Sequence, residues 1–169
     1  MLNWPKYCIL TVLFLCSCSK NAKILNEMAV FGGGCFWTLD FYFEKIDGVQ
    51  EVICVYTESG SEAVQVKYDP QKVSFSKLCK VFMKIHAPET DYKAKYRSLI
   101  QTDNPENFKI ALAIVNELKK SADVKTTVEK TGPLTIPDEM HEDWHKNKNS
   151  EPKCHLPKGS FEELMNSLN

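Results

Sequence analysis

Apolar positions along the chain follow two periods, and the switches between them divide it into elements. Glu27–Phe31 is a short apolar run that ends at Gly32-Gly33-Gly34, the strongest breaker in the sequence, and predicts a strand. From Cys35 the apolar positions Phe36, Leu39, Phe43 and Ile46 recur at helical spacing until Asp47-Gly48 ends the run. Val49–Tyr56 and Ala63–Tyr68 have strand character, Glu58-Ser59-Gly60-Ser61 is the turn between them, and Asp69-Pro70 breaks the chain. Ser74 is placed to cap a helix over Ser74–Ile85, whose buried stripe is Phe75, Leu78, Val81, Phe82 and Ile85. A polar loop leads to a strand at Arg97–Gln101. Asn104-Pro105-Glu106 then opens a helix over Asn107–Lys120, with Pro105 suited to its first turn. Thr126–Glu129 is the last predicted strand, and from Gly132 the chain is Pro-rich, charged and irregular.

The order strand, helix, strand, strand, helix, strand is that of a ferredoxin-like split β-α-β unit. The expected fold is therefore α+β, a two-layer sandwich over residues 27–136, with an irregular C-terminal tail over 137–169. No internal repeat is visible.

Composition agrees with one globular domain: 169 residues, 43% hydrophobic and 25% charged. Those values exclude a disordered chain, a collagen, a coiled coil and a polytopic membrane protein. The 21 basic and 22 acidic residues leave a net charge of −1, so no overall field calls for nucleic acid. Residues 1–20 stand apart. Lys6 precedes the apolar run Cys8–Cys16, and small residues follow, which is the order of an export signal and too short for a span. Leu15-Cys16-Ser17-Cys18 resembles a bacterial lipoprotein box. It implies a signal at 1–17, a lipid on Cys18, a tether at 18–26, and a place on the outer side of a membrane in the cell envelope. A cleaved signal without lipid, or a chance apolar stretch, is the alternative.

Of the seven cysteines, Cys35, Cys54, Cys79 and Cys154 lie in the body. Phe31-Gly32-Gly33-Gly34-Cys35-Phe36-Trp37 puts a thiol at the first turn of a helix directly after a glycine loop. Unpaired N–H groups and the positive end of the helix dipole favour a thiolate there. Glycines let a substrate approach the backbone, and Phe36 and Trp37 make an apolar wall suited to a methyl group. A buried structural cysteine among core aromatics is the competing reading. His141-Glu142-Asp143-Trp144-His145 is a literal His-Glu-x-x-His pattern, which on a helix would give two zinc ligands, with Glu142 as base and Cys154 or His155 as third ligand. The polar flanks Pro137–Met140 and Lys146–Lys153 argue against a buried zinc helix.

Gly34-Cys35-Phe36-Trp37 after a strand resembles the active-site signature of the A-type peptide methionine sulfoxide reductases. Gly48-Val49, Glu62–Val66, Tyr68-Asp69-Pro70, Phe75–His86 with Pro88, Tyr96-Arg97-Ser98, and His141 with His145-Lys146-Asn147 resemble further family segments in the same order, over about residues 27–155. The resemblance implies thiol-dependent reduction of methionine-S-sulfoxide in proteins or peptides. Cys35 would be the nucleophile that becomes a sulfenic acid. Glu62 would protonate the sulfoxide oxygen, which a carboxyl can do near neutral pH only in an apolar setting. Tyr96 would hydrogen-bond that oxygen, Asp91 matches the family's acidic residue five positions earlier, and Phe36 and Trp37 would hold the methyl group. No bound cofactor is implied; the electrons come from an external thiol reductant such as thioredoxin, and the chain is expected to act as a monomer.

The chain departs from the family pattern in several places. Between Tyr56 and Glu62 a longer glycine-rich excursion with a second active-site tyrosine is missing, and Tyr56 and Tyr92 are the possible substitutes. Lys93-Ala94-Lys95 stands where the family has Gly-Thr-Gln, and Asp40 where it usually has Glu. Cys154, in the polar segment Asn147–Pro157, is the expected resolving cysteine, with an incidental surface thiol as the alternative. Cys54 and Cys79 read as inert core thiols. Two other function classes stay open at this level: a non-catalytic sulfoxide- or partner-binding relative, and the zinc hydrolase.

Overall fold

The computed structural model describes residues 26–138, 141, 143–152 and 160–168. Cys18, Cys154, His155 and Glu142, and with them the signal, the lipid site, the resolver and one zinc-motif residue, lie outside the described residues.

Six strands form one sheet in the order β5-β4-β1-β3-β2-β6. They are β1 (Glu27–Gly32), β2 (Val49–Thr57), β3 (Glu62–Tyr68), β4 (Leu99–Gln101), β5 (Thr127–Glu129) and β6 (Leu134–Thr135). The inner four, β4-β1-β3-β2, are antiparallel throughout and carry the ferredoxin-like order. β5 extends this sheet in parallel beside β4, and β6 pairs with the far edge of β2.

Helices α1 (Phe36–Phe43), α2 (Phe75–Ile85) and α3 (Pro105–Lys119) cover one face. Strand alternation decides what each face holds. Ala29 and Phe31 of β1, Cys54 of β2, Val64, Val66 and Tyr68 of β3 and Ile100 of β4 join the helix side chains in the main core. Val30, Val55, Ala63 and Leu99 make a smaller cluster on the other face. Every position of the expected α2 stripe is buried, and Ser74 caps that helix by accepting the Lys77 N–H. Asn104 caps α3 with Pro105 just inside.

α1 ends at Phe43, three residues before the apolar pattern does. Lys45 and Ile46 donate to the carbonyls of Tyr42 and Phe43, so a tight turn, not a longer helix, delivers Ile46 to the core. The C-terminal segment adds two short helices, α4 (Trp144–Asn147) and α5 (Phe161–Ser167). α5 has a reciprocal Ser160–Glu163 capping box and sends Leu164 into the main core. Strand β6 is only two residues, Leu134–Thr135, between Pro133 and Pro137, which hides it from periodicity.

Candidate active site

The turn from β1 to α1 holds the thiol. Gly34 has φ 77°, a left-handed conformation that glycine adopts without strain. Gly33 lies so close to the buried His86 ring that a Cβ would come within 2.7 Å of its Cδ2. That ring stacks on Phe82 at 4.0 Å and bonds through Nε2 to Ser98 Oγ at 2.8 Å, so it forms a fixed floor under the loop. Cys35 follows as the N-cap of α1, extended in backbone and partly buried, with its carbonyl accepting the Thr38 N–H.

Glu62 is the first residue of β3 and faces the helix layer, 5% exposed. Both of its carboxylate oxygens are engaged. Oε2 accepts the Phe36 N–H at 3.2 Å, which sets the carboxylate beside the helix end that carries Cys35. Oε1 lies 3.1 Å from Lys95 Nζ. The hydrogen bond and charge of Glu62 raise the pKa of Lys95 above the ordinary lysine value.

A single turn of 3-10 helix, Ala94–Tyr96, carries Lys95 and Tyr96, and it is clamped on both sides. Ser61 Oγ donates to the Ala94 carbonyl at 2.9 Å, and Gly34 donates its N–H to the Tyr96 carbonyl at 2.9 Å. Lys95 Nζ stands 5.9 Å from the Tyr56 ring centre and 5.6 Å from that of Tyr96. Tyr56 packs on Phe36 at 5.6 Å.

An aromatic wall completes the site. Phe36 is buried and Trp37 partly so. His141 lies 5.6 Å from Phe36 and 5.8 Å from Trp37, and Trp144 stacks on Trp37 at 4.2 Å with an interplanar angle of 5°. The tail thereby closes one side of the cluster formed by Cys35, Phe36, Trp37, Tyr56, Glu62, Lys95 and Tyr96.

Asp91 is not brought into that cluster by any described contact. It is exposed. In the loop that carries it the Thr90 N–H bonds back to the Ala87 carbonyl, and the Lys125 N–H is given to the Pro88 carbonyl. Tyr92 turns into the same loop, where its hydroxyl accepts the Ala87 N–H. Of Tyr56 and Tyr92, Tyr56 is the one in the cluster. Cys54 and Cys79 are fully buried, and burial pushes the Cys79 thiol up.

The helix that the zinc pattern requires is not formed. Asp143, between the two histidines, is left-handed at φ 49°, and α4 begins only at Trp144. His141 stacks on the aromatic wall while His145 meets Phe41 edge-on and bonds Ser150. Among the described residues no group of three His, Cys, Asp or Glu could hold a metal ion.

Lys95, Ser61 and Trp144 are the site residues that the sequence does not single out. A lysine in a polar loop and a serine in a turn give no periodic signal; only the departure at 93–95 pointed there.

Three comparisons bear on this geometry. The family model described as peptide methionine sulfoxide reductase matches residues 27–168. The chain is similar to the peptide methionine sulfoxide reductase MsrA of Polynucleobacter asymbioticus, 35% identical over 153 residues, 76% of this chain and 78% of the relative. Among solved structures, it superposes on reduced Mxr1 from Saccharomyces cerevisiae with a TM-score of 0.71 at 20% identity, covering 79% of this chain and 93% of that one. Mxr1 in complex with Trx2 gives 0.60 at 19% identity, over 79% and 91%.

Proposed function

The chain belongs to the peptide methionine sulfoxide reductase family, and from that membership we infer that it reduces methionine-S-sulfoxide in proteins and peptides to methionine with an external thiol reductant. The observation that carries the site assignment is the Glu62–Phe36 hydrogen bond, which sets a carboxylate and the Cys35 thiol at one helix end from positions far apart in sequence.

In this reading Cys35 attacks the sulfoxide sulfur. The helix N-terminus favours negative charge on the attacking sulfur. Oxygen passes from the substrate sulfur, which is reduced by two electrons, to the Cys35 sulfur, which is oxidised by two. The thiol proton, released as the thiolate forms, returns on the transferred oxygen, so methionine leaves and Cys35 becomes a sulfenic acid. Glu62 and Tyr96 manage the charge and proton on that oxygen, and Phe36 and Trp37 hold the methyl group. Asp91, exposed in the loop before Tyr96, is the acidic residue that the resemblance adds to this set.

Cys154 then displaces the sulfenic oxygen as water and leaves a disulfide for a thioredoxin-like reductant to open. Support for that reductant comes from the likeness to Mxr1, whose complex with Trx2 is a solved structure. Lys6, the apolar run Cys8–Cys16 and the Leu15–Cys18 pattern support export and a lipid on Cys18, which would hold a monomeric enzyme at the outer side of a membrane. Turnover of a methionine sulfoxide peptide with dithiothreitol tests the activity. The wild type should turn over and Cys35→Ser should not; an inactive wild type would refute the reading.

A further inference from the structure

We propose that Lys95 is a catalytic residue of this site: its ammonium, seated on Glu62, donates to the sulfoxide oxygen and supplies the positive charge that oxygen needs as Cys35 attacks. The proposal rests on the reductase reading above and adds a residue to it.

The argument starts from the donors around Glu62. Attack on a sulfoxide sulfur leaves the oxygen more negative, and such a charge is stabilised by fixed donors within about 3 Å in a site that excludes water. Most donors here are already committed. The Phe36 N–H is given to Glu62, the Gly34 N–H to the Tyr96 carbonyl, and the Ser61 hydroxyl to the Ala94 carbonyl. An ammonium has three protons. Lys95 turns toward Glu62 Oε1 at 3.1 Å, which leaves donor capacity on the outward side of Nζ.

Exposure decides which member of the pair a substrate meets. The Lys95 side chain is 52% exposed and that of Glu62 is 6%. A sulfoxide entering over the aromatic wall reaches the cation first, with the carboxylate behind it. The hydrogen bond and charge of Glu62 raise the pKa of Lys95, so the ammonium persists through neutral pH. Besides its own part at the oxygen, Glu62 aims the ammonium through the 3.1 Å ion pair.

The backbone around Lys95 is anchored on either side. Ala94 is bonded to Ser61 of the β2–β3 turn and Tyr96 to Gly34, the residue before Cys35. One hydrogen bond thus separates the segment bearing the cation from the loop bearing the nucleophile. The Tyr56 and Tyr96 rings, each within 6 Å of Nζ, add favourable cation–aromatic contacts. Lys95 begins and ends the step as an ammonium, so the oxygen-transfer balance above is unchanged.

Two experiments test the proposal together. In steady-state turnover with dithiothreitol, Lys95→Met should lower kcat by about 10²-fold, the scale of losing one charge-stabilising donor. Lys95→Arg, which keeps a cation and donors, should recover most of that loss. In a Cys35→Ser background, binding of N-acetylmethionine sulfoxide amide and of the matching thioether is compared by titration. Lys95→Met should weaken sulfoxide binding and leave thioether binding unchanged, because only the sulfoxide offers the oxygen. A wild-type kcat in Lys95→Met, equal weakening of both ligands, or failure of Arg to rescue would overturn the proposal. If the wild type does not reduce the sulfoxide at all, the reductase reading fails, and the two titrations still judge Lys95 as an oxygen-binding group.

Discussion

Glu62 accepts the main-chain N–H of Phe36 at 3.2 Å across a separation of 26 residues. That contact joins the first residue of β3 to the first turn of α1, so the strand that supplies the carboxylate and the helix that supplies the thiol are held in one register. Glu62→Gln should lower kcat by about 10²-fold with the fold intact, since proton management in a reaction step contributes on the order of 10²–10⁴. The check is kcat alongside the thermal midpoint. An unchanged rate would mean that another group handles the oxygen.

The stacking of Trp144 on Trp37 makes the tail part of the substrate wall. Removing one partner of such an aromatic pair costs about 1 kcal/mol beyond lost area. Trp144→Ala should therefore raise KM by about fivefold and leave kcat close to wild type. A change confined to kcat would show that the tail contributes to the chemistry.

Gly33 and Gly60 separate two reasons for a glycine. At Gly33 a methyl group would strike the His86 ring at 2.7 Å and Phe82 at 3.1 Å, both fixed in the core. Gly33→Ala should cost about 1–3 kcal/mol of stability and displace Cys35, as overpacking does. Gly60 has open space around it but φ 75°, so Gly60→Ala should cost about 1 kcal/mol with activity retained. Urea midpoints measured beside turnover distinguish the two.

Legibility followed the range of the interactions. The α2 stripe, the Ser74 and Asn104 caps and the inner strand order were readable because period, caps and breakers are local. The thiol at the glycine turn was readable for the same reason. Strand β6 was not, because two residues between prolines have no period; pairing with Tyr56 and Thr57 creates it. Lys95 was not readable as a partner of Glu62, because that contact depends on Ser61 and Gly34 clamping a loop more than thirty residues along the chain. The resemblance places Asp91 with the site residues; it is exposed, in a polar loop that carries no period to fix where its side chain goes.

Acid should loosen the β4–β5 edge. Burial pulls the pKa of Glu129 upward, but bonds from Arg97, Thr127 and Gln101 together hold it below its ordinary value. A carboxyl depressed in the folded state contributes stability above its unfolded pKa, and that contribution is lost as pH falls through the folded value. Arg97→Gln should lower stability at pH 7 by under about 1 kcal/mol, since the pair is partly solvated. It should also flatten the decline in stability below about pH 4.5, the ordinary value of this carboxyl. An unchanged acid slope would show that Glu129 does not couple to folding.

Recycling distinguishes the remaining thiols. Cys54 and Cys79 are fully buried, and burial holds the Cys79 thiol protonated, so neither is disposed to attack a sulfenic acid at Cys35. Cys154, by its polar sequence context, is the candidate resolver. Cys154→Ser should still reduce one equivalent of substrate per enzyme, because the oxygen-transfer step needs only Cys35. With thioredoxin as sole reductant it should then stall with Cys35 oxidised. The physical reason is access: a sulfenic acid at Cys35, partly buried against the core, is screened from a bulky protein thiol, whereas a tail disulfide can be presented to one. Dithiothreitol, small enough to enter, should restore turnover. Mass spectrometry after one turnover should find a Cys35–Cys154 bridge in the wild type. A bridge to Cys54 or Cys79, or full thioredoxin-driven turnover by Cys154→Ser, would assign the resolving step to a different group.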